Sequence, residues 1–390
     1  MTIQKIKDDI FYIGVRHWDR RLFDELIPLP DGTSYNAYLI KGSDKIALID
    51  TADPSMEKNF FSQLSRTGAD KIDYIISNHA EQDHSGLIPH ILEKFPDAKV
   101  VTNAKNVVFL KDLLLIPDNR FIVIDDKDEL NLGNKTLQFI LTPWVHWPET
   151  MVTYLKEDKV LFTCDFFGSH LATSDLYTDE ETIHEPAKRY YAEIMMPFRS
   201  IIKNNLRKIE KFKFDIIAPS HGPIYNNPDF IINAYKDWIS DNVKKEILIP
   251  YVSMHGSTKA IVEYLVDYLL NKGVTVTPIN LTVADIGQLA IKLVDAAAII
   301  LATPTVLTGL HPPAAYALYL INALRPKTKY ISIIGSYGWG GKALEVATSM
   351  MSNLKAEIID PFLIKGYPKK EDFTKIEELA NKIIEKLNTL

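Results

Sequence analysis

Short runs of β-branched and aromatic residues alternate with polar turns through the first part of the chain: DIFYIGV, SYNAYLI, KIALIDT, DYIISNH, AKVVT and RFIVID. Each has the length and composition of a strand. Residues 135–142, 150–155 and 158–163 continue the pattern, and Phe214–Ala218 reads as a last buried strand. Between them, apolar residues return at intervals of three and four around Ser55–Arg66 and Gly86–Lys94, which predicts helices. Strands and helices mixed in this way predict a layered α/β sandwich rather than an all-β domain.

A different rhythm begins near Ile247. ILIPYVS, VTVTPIN, AAAIILA, KYISIIG and AEIIDPF are separated by helical patterns at about 258–271, 285–292, 313–325, 341–354 and 371–387. Regular strand–helix alternation predicts a doubly wound, mostly parallel sheet with helices on both faces. The polar segment Ser240–Glu246 precedes the change, so two domains are expected, residues 1–248 and 249–390. A chain of 390 residues is long enough to bury two such cores.

Charge and cysteine usage narrow the function. A formal charge of -6 offers no broad attraction to nucleic acid. No apolar run reaches the roughly twenty residues that span a bilayer, and the start MTIQKIKDDIFYIG lacks the apolar centre of a secretory signal. A cytoplasmic protein without membrane attachment is therefore expected. Cys164 is the single cysteine, which excludes an internal disulfide or a Cys-rich iron–sulfur module in this chain. An electron carrier of that kind must be another polypeptide.

The block His79-Ala80-Glu81-Gln82-Asp83-His84 directly follows the apolar run Tyr74–Ile76. Imidazole nitrogen with carboxylate oxygen suits iron, manganese or zinc, although such residues also form ordinary helix starts. Three more polar residues follow apolar strands in the same way: His146 after QFILTP, Asp165 after VLFTC and His221 after FDIIAPS. Strand ends on one edge of a sandwich can gather such residues into one pocket. Cys164 precedes Asp165, and alternation along VLFTCD points its side chain away, as a small core residue.

In the second domain, Ser253-Met254-His255-Gly256-Ser257-Thr258 lies between a strand and a helix. Hydroxyls and N–H groups there can surround a terminal phosphate at the positive end of the helix. The turn has neither the dinucleotide-binding glycine fingerprint nor a Walker A pattern. Pro304-Thr305-Val306-Leu307-Thr308-Gly309 follows the third strand, and Ser336-Tyr337-Gly338-Trp339-Gly340-Gly341 follows the fourth. All three loops fall at the carboxyl ends of parallel strands, where open α/β sheets form their ligand crevice. Tyr337 or Trp339 can supply stacking contact to a planar ring.

The whole arrangement resembles the metallo-β-lactamase superfamily and, more closely, its flavo-diiron protein branch in the short two-domain form. Glu81 is the distinguishing residue, because the hydrolytic pattern usually carries histidine there. The resemblance implies a metallo-β-lactamase-like αββα sandwich followed by a flavodoxin-like domain with strand order 2-1-3-4-5. It implies two iron ions, one held by His79, Glu81 and His146, the other by Asp83, His84 and His221, with Asp165 bridging. It also implies FMN in the three loops and a tyrosine, Tyr191, near the metals as a proton or hydrogen-bond modulator. Trp144, Trp147, His170 and His184 are expected either near the metals or in ordinary packing, and His255 is counted with the first FMN loop without a separate proton-responsive role.

The implied chemistry takes electrons from an external donor, such as reduced coenzyme F420 or rubredoxin, through FMN to the irons, where oxygen becomes water. Nitric oxide reduction to nitrous oxide is the alternative acceptor reaction. A head-to-tail homodimer is implied, with a dimer of dimers as a further arrangement. Two other readings stay open: a dizinc hydrolase with a regulatory flavin domain, and an electron-transfer module without gas chemistry.

Overall fold

A computed structural model describes residues 3–390. The chain forms two compact units: one comprises the residues up to Tyr191 together with Phe198–Ile239, the other Ala192–Pro197 with Ser240–Leu390. The division expected after residue 248 falls inside the strand Lys244–Tyr251.

In the first unit two sheets face each other. One has seven strands in the order Lys5–Lys7, Ile10–Tyr12, Tyr38–Lys41, Ile46–Ile49, Tyr74–Ile76, Lys99–Asn103 and Phe121–Ile124. The other has five, in the order Glu129–Asn131, Thr136–Leu141, Met151–Leu155, Val160–Cys164 and Ile216–Pro219. The core between them joins Ile40, Ile49 and Val101 of the first sheet to Phe139, Met151 and Phe162 of the second. Helices cover the outer faces. In Arg199–Ile209, for example, Ile202, Leu206 and Ile209 return at helical spacing and are buried.

The second unit is built on a parallel sheet in the order Thr275–Asn280, Lys244–Tyr251, Ala296–Val306, Tyr330–Tyr337 and Glu357–Ile358. Counted along the chain, this is the 2-1-3-4-5 order. The run AEIIDPF does not form one strand. It divides into Glu357–Ile358 and Phe362–Lys365, because Asp360 has φ 34° and Pro361 brings no N–H to a ladder. The helix expected over 341–354 is likewise shorter, Ala343–Ser349. No helix among the described residues is long and apolar enough to cross a membrane.

Candidate functional site

Strand ends of the first unit carry the polar cluster. Beyond Tyr74–Ile76 the chain is held in place by Asp50, which accepts from Asn78 N at 2.8 Å and Asn78 Nδ2 at 2.9 Å. Thr153 Oγ1 donates to Asn78 Oδ1 at 2.7 Å, so both sheets grip the residue before His79. One turn of helix, Gln82–Ser85, then presents Asp83 and His84 inward. Asp165 follows Val160–Cys164, and His221 follows Ile216–Pro219. Gly222 next to His221 has φ 77°, and a Cβ there would strike Ser169, so the backbone passes where only glycine fits.

These seven residues form two adjoining groups. His79, Glu81, His146 and Asp165 make one; Asp83, His84 and His221 make the other, and within each group the donor atoms lie within 4.8 Å of one another. Asp165 touches both. Its Oδ1 is 3.0 Å from His84 Nε2 and 3.3 Å from His221 Nε2, while its Oδ2 is 3.4 Å from His79 Nε2 and 3.2 Å from His146 Nε2. Among the described residues, both oxygens of Asp83, both ring nitrogens of His84 and Asp165 Oδ2 are buried without a well-directed hydrogen bond, although carboxylate and imidazole atoms stand as close as 3.0–3.3 Å. Polar atoms orphaned in a dry interior are costly, and cations at the two centres would satisfy them. The mixed nitrogen and oxygen donors fit a pair of iron ions.

Charge in the cluster has the same sense. Burial disfavours the imidazolium of His146, yet Asp165 and Glu81 push its pKa up to about 9. Burial acts likewise on His221, where Asp165 and Asp83 raise it to about 10. Burial would raise Asp165, but the surrounding histidines hold it well below the usual carboxylate range. Three carboxylates so placed favour positive charge among them.

A further layer of residues orients the cluster. His79 Nδ1 donates to Glu149 Oε1 at 2.7 Å, and His221 Nδ1 donates to Ser34 O at 2.7 Å, leaving Nε2 of each ring toward the centre. Trp147 meets His79 edge-on, with centroids 5.0 Å apart, whereas Trp144 is half-exposed and stacks on Phe198. His170 packs against Phe23, Tyr190 and His221 and pairs its Nδ1 with Thr33 Oγ1 at 2.9 Å. Burial and His221 hold its pKa well below the ordinary value, which favours the uncharged ring. His184 packs instead on Phe230 and Trp238.

The tyrosine expectation requires correction. Tyr190, not Tyr191, reaches the cluster: its hydroxyl donates to Asp165 Oδ1 at 2.8 Å. Tyr191 directs its hydroxyl to Trp238 O at 3.3 Å and packs on Tyr235. Adjacent helical residues point about 100° apart, so only one of the pair can face the metals. Glu149, Asp50 and Ser34 were also missed by the sequence reading; only the polar Glu149-Thr150 pair ahead of a strand hinted at a role. Cys164 lies within reach of His84 and Asp165, but burial and the carboxylates of Asp50 and Asp165 push its thiol well up, which disfavours a thiolate.

In the second unit the three loops lie at the carboxyl ends of adjacent strands. Gly256, at φ 90°, turns the chain into the helix Ser257–Asn271, and Lys259 N donates to Ser253 Oγ at 3.1 Å. Met254 and His255 are exposed, while Thr258 is buried with its hydroxyl 2.9 Å from Ser336 Oγ. Pro304 stands beside Ser336 in the parallel register. Thr305 and Val306 pair with Leu310 and Gly309 across a tight turn made by Leu307 and Thr308, both at positive φ. Gly341 passes so close that a Cβ would strike the Thr305 side chain. Tyr337 is half-buried, Gly338 and Gly340 are open around it, and Trp339 is 80% exposed. Thr305 Oγ1 is buried without a partner, so a polar group from a ligand has an acceptor or donor waiting there. Hydroxyls and a helix start for phosphate, with an aromatic rim, fit FMN.

The model of the ODP family beta lactamase matches residues 33–222. The chain is 35% identical over 388 residues to the nitric oxide reductase of Moorella thermoacetica, covering 97% of each. It is 32% identical over 390 residues to the flavo-diiron protein FprA2 of Clostridium acetobutylicum, covering 96% of this chain and 97% of that one. Among solved structures, rubredoxin oxygen:oxidoreductase from Desulfovibrio gigas superposes with a TM-score of 0.95 at 26% identity, over 100% of this chain and 99% of that one. With sequence and fold both shared end to end, and with residues that fit a flavin and two metal ions, the chain belongs to the flavo-diiron protein family, oxidoreductases that carry FMN and a diiron site.

Proposed function

We propose that this protein reduces dioxygen to water with electrons from an external donor. The observation that carries the reading is Asp165, whose two oxygens face different histidine pairs and so belong to both metal positions. His79, Glu81 and His146 would hold one iron and Asp83, His84 and His221 the other, with Asp165 placed to serve both. Ser253 to Thr258, Pro304 to Gly309 and Ser336 to Gly341 would hold FMN. When bound, FMN would supply one- and two-electron transfer and the iron pair a redox centre for the gas.

The chain's own part is position and charge. Asp165 keeps its charge because four imidazoles approach it, and Tyr190 donates a hydrogen bond to the same carboxylate. His170 lines the side of His221, and burial there disfavours a second positive charge. Reduction of one dioxygen consumes four electrons and four protons and releases two waters.

Nitric oxide is the second acceptor, favoured by the likeness to the Moorella nitric oxide reductase. Two molecules with two electrons and two protons yield nitrous oxide and water. Reduced coenzyme F420 and rubredoxin are the donors in view, and a head-to-tail homodimer is the assembly; an active monomer in light scattering overturns the latter. Stopped-flow oxidation of the reduced, iron- and FMN-loaded protein by matched oxygen and nitric oxide tests the main reading. Faster oxygen reduction with water as product supports it, and faster nitrous oxide formation replaces it. Two zinc ions with esterase turnover would remove both.

A further inference from the structure

We propose that Glu149 is a positioning residue for the metal centre: through His79 it fixes the ligand tautomer and raises the electron density supplied to the iron at that position. The inference rests on the reading of His79 as an iron ligand.

Glu149 is fully enclosed, and both hydrogen bonds of its side chain serve the ligand block. Its Oε1 accepts from His79 Nδ1 at 2.7 Å and from Ala80 N at 3.1 Å. Among the described residues its Oε2 is buried with no hydrogen-bond partner, so no other donor there draws its charge away from the imidazole. The residue itself is anchored from the first sheet, where Asn103 Nδ2 donates to Glu149 O at 2.7 Å. The neighbouring Thr150 Oγ1 donates to Thr142 O at 2.6 Å and closes the loop that carries His146. Glu149 therefore ties the His79 segment to the His146 loop, two ligand sources more than sixty residues apart in sequence.

The chemistry of this contact differs from that at His221. There the outer ring nitrogen donates to a neutral carbonyl, Ser34 O. At His79 the acceptor is a carboxylate, which pulls the Nδ1 proton more strongly and makes Nε2 a better donor to metal. The two metal positions are thus unequal, and the iron bound by His79 is expected to be the one whose oxidised form gains more. A carboxylate buried for packing alone would leave redox properties untouched; a carboxylate that loads the imidazole would not.

Glu149→Gln separates the two, since the amide oxygen can still accept both hydrogen bonds while the charge is gone. Anaerobic ferrous titration against a competing chelator should show one of two irons bound about 10- to 100-fold more weakly in E149Q than in the unaltered protein. Redox titration followed by electron paramagnetic resonance should show the diiron midpoint moved to more positive potential, with the FMN midpoint unchanged. Glu149→Asp keeps the charge on a shorter arm and should recover part of both effects, which guards against a variant that merely folds poorly. Equal affinity and an unmoved diiron potential in a folded E149Q overturn the inference. An unaltered protein that binds no iron pair overturns the underlying ligand reading and the inference with it.

Discussion

Tyr190 donates its hydroxyl hydrogen to Asp165 Oδ1 across 2.8 Å, deep in the first unit. Burial, then the charge of Asp165, holds the phenol well above its ordinary pKa, so the donor keeps its proton throughout the working range. Tyr190→Phe leaves the ring in place and removes one hydrogen bond to a buried charge, worth about 1.5–3 kcal/mol. Iron affinity should fall about tenfold or more, with FMN content unchanged. Tyr191→Phe removes a hydroxyl that points to Trp238 O rather than to Asp165 and should leave iron affinity as it was. Iron titrations of the two variants side by side decide between the neighbours; equal losses, or a loss in Y191F alone, would contradict the assignment.

Gly222 offers a test of how the backbone sets His221. Its φ of 77° is unfavourable for any side chain, and a Cβ would strike the Ser169 hydroxyl and backbone. Gly222→Ala should destabilise the protein by about 1–3 kcal/mol. It should also lower the occupancy of the second metal position, because His221 is the adjacent residue. Thermal unfolding and metal analysis check this, and a variant with unchanged melting and full metal content shows that the loop can shift at no cost.

Much of this architecture was readable from the chain before its structure, for definite reasons. The three central parallel strands of the second unit, Lys244–Tyr251, Ala296–Val306 and Tyr330–Tyr337, are mainly apolar and buried along most of their length, and the helices begin within a residue or two of where periodicity placed them: Ser257, Ile286 and Pro312. The metal residues were conspicuous as histidines and carboxylates lying just beyond apolar strands. What sequence could not supply was phase and partnership. Tyr190 and Tyr191 are the same residue type, both buried, and only the packed orientation of their helix distinguishes them. Glu149 meets His79 from seventy positions away, a pairing that no local pattern records. The split at Asp360-Pro361 was visible in residue type but was overridden by the apolar run around it.

Thr258 is the place to probe the flavin loops independently of the metals. Its hydroxyl is buried and bonded to Ser336 Oγ at 2.9 Å, joining the first loop to the third. Thr258→Val preserves shape and removes the hydroxyl, so FMN affinity should fall by roughly tenfold, the worth of a hydrogen bond or two. Thr258→Ser should restore most of it, and iron content should be unaffected in both. Fluorescence titration of the apoprotein with FMN measures the change; an unaltered dissociation constant in T258V would remove the hydroxyl from the binding site.

Asp165 and Cys164 are adjacent and both buried within reach of His84, so one pair of variants asks which of them is the bridge. Two oxygens on one carboxylate can serve two ions at once, and those of Asp165 face separate histidine pairs. A thiol pushed well up by burial and by the charges of Asp50 and Asp165 has neither the charge nor a second donor atom. Asp165→Ala should therefore lose at least one of the two irons, and the remaining imidazoles and carboxylates should bind the other weakly. FMN should stay bound, since the flavin loops belong to the other unit. Cys164→Ala should keep both irons and lose about 1 kcal/mol of stability from a small cavity. Iron and flavin measured on the same preparations give the answer: a normal iron pair in D165A, or its loss in C164A, would transfer the bridging role from the carboxylate to its neighbour.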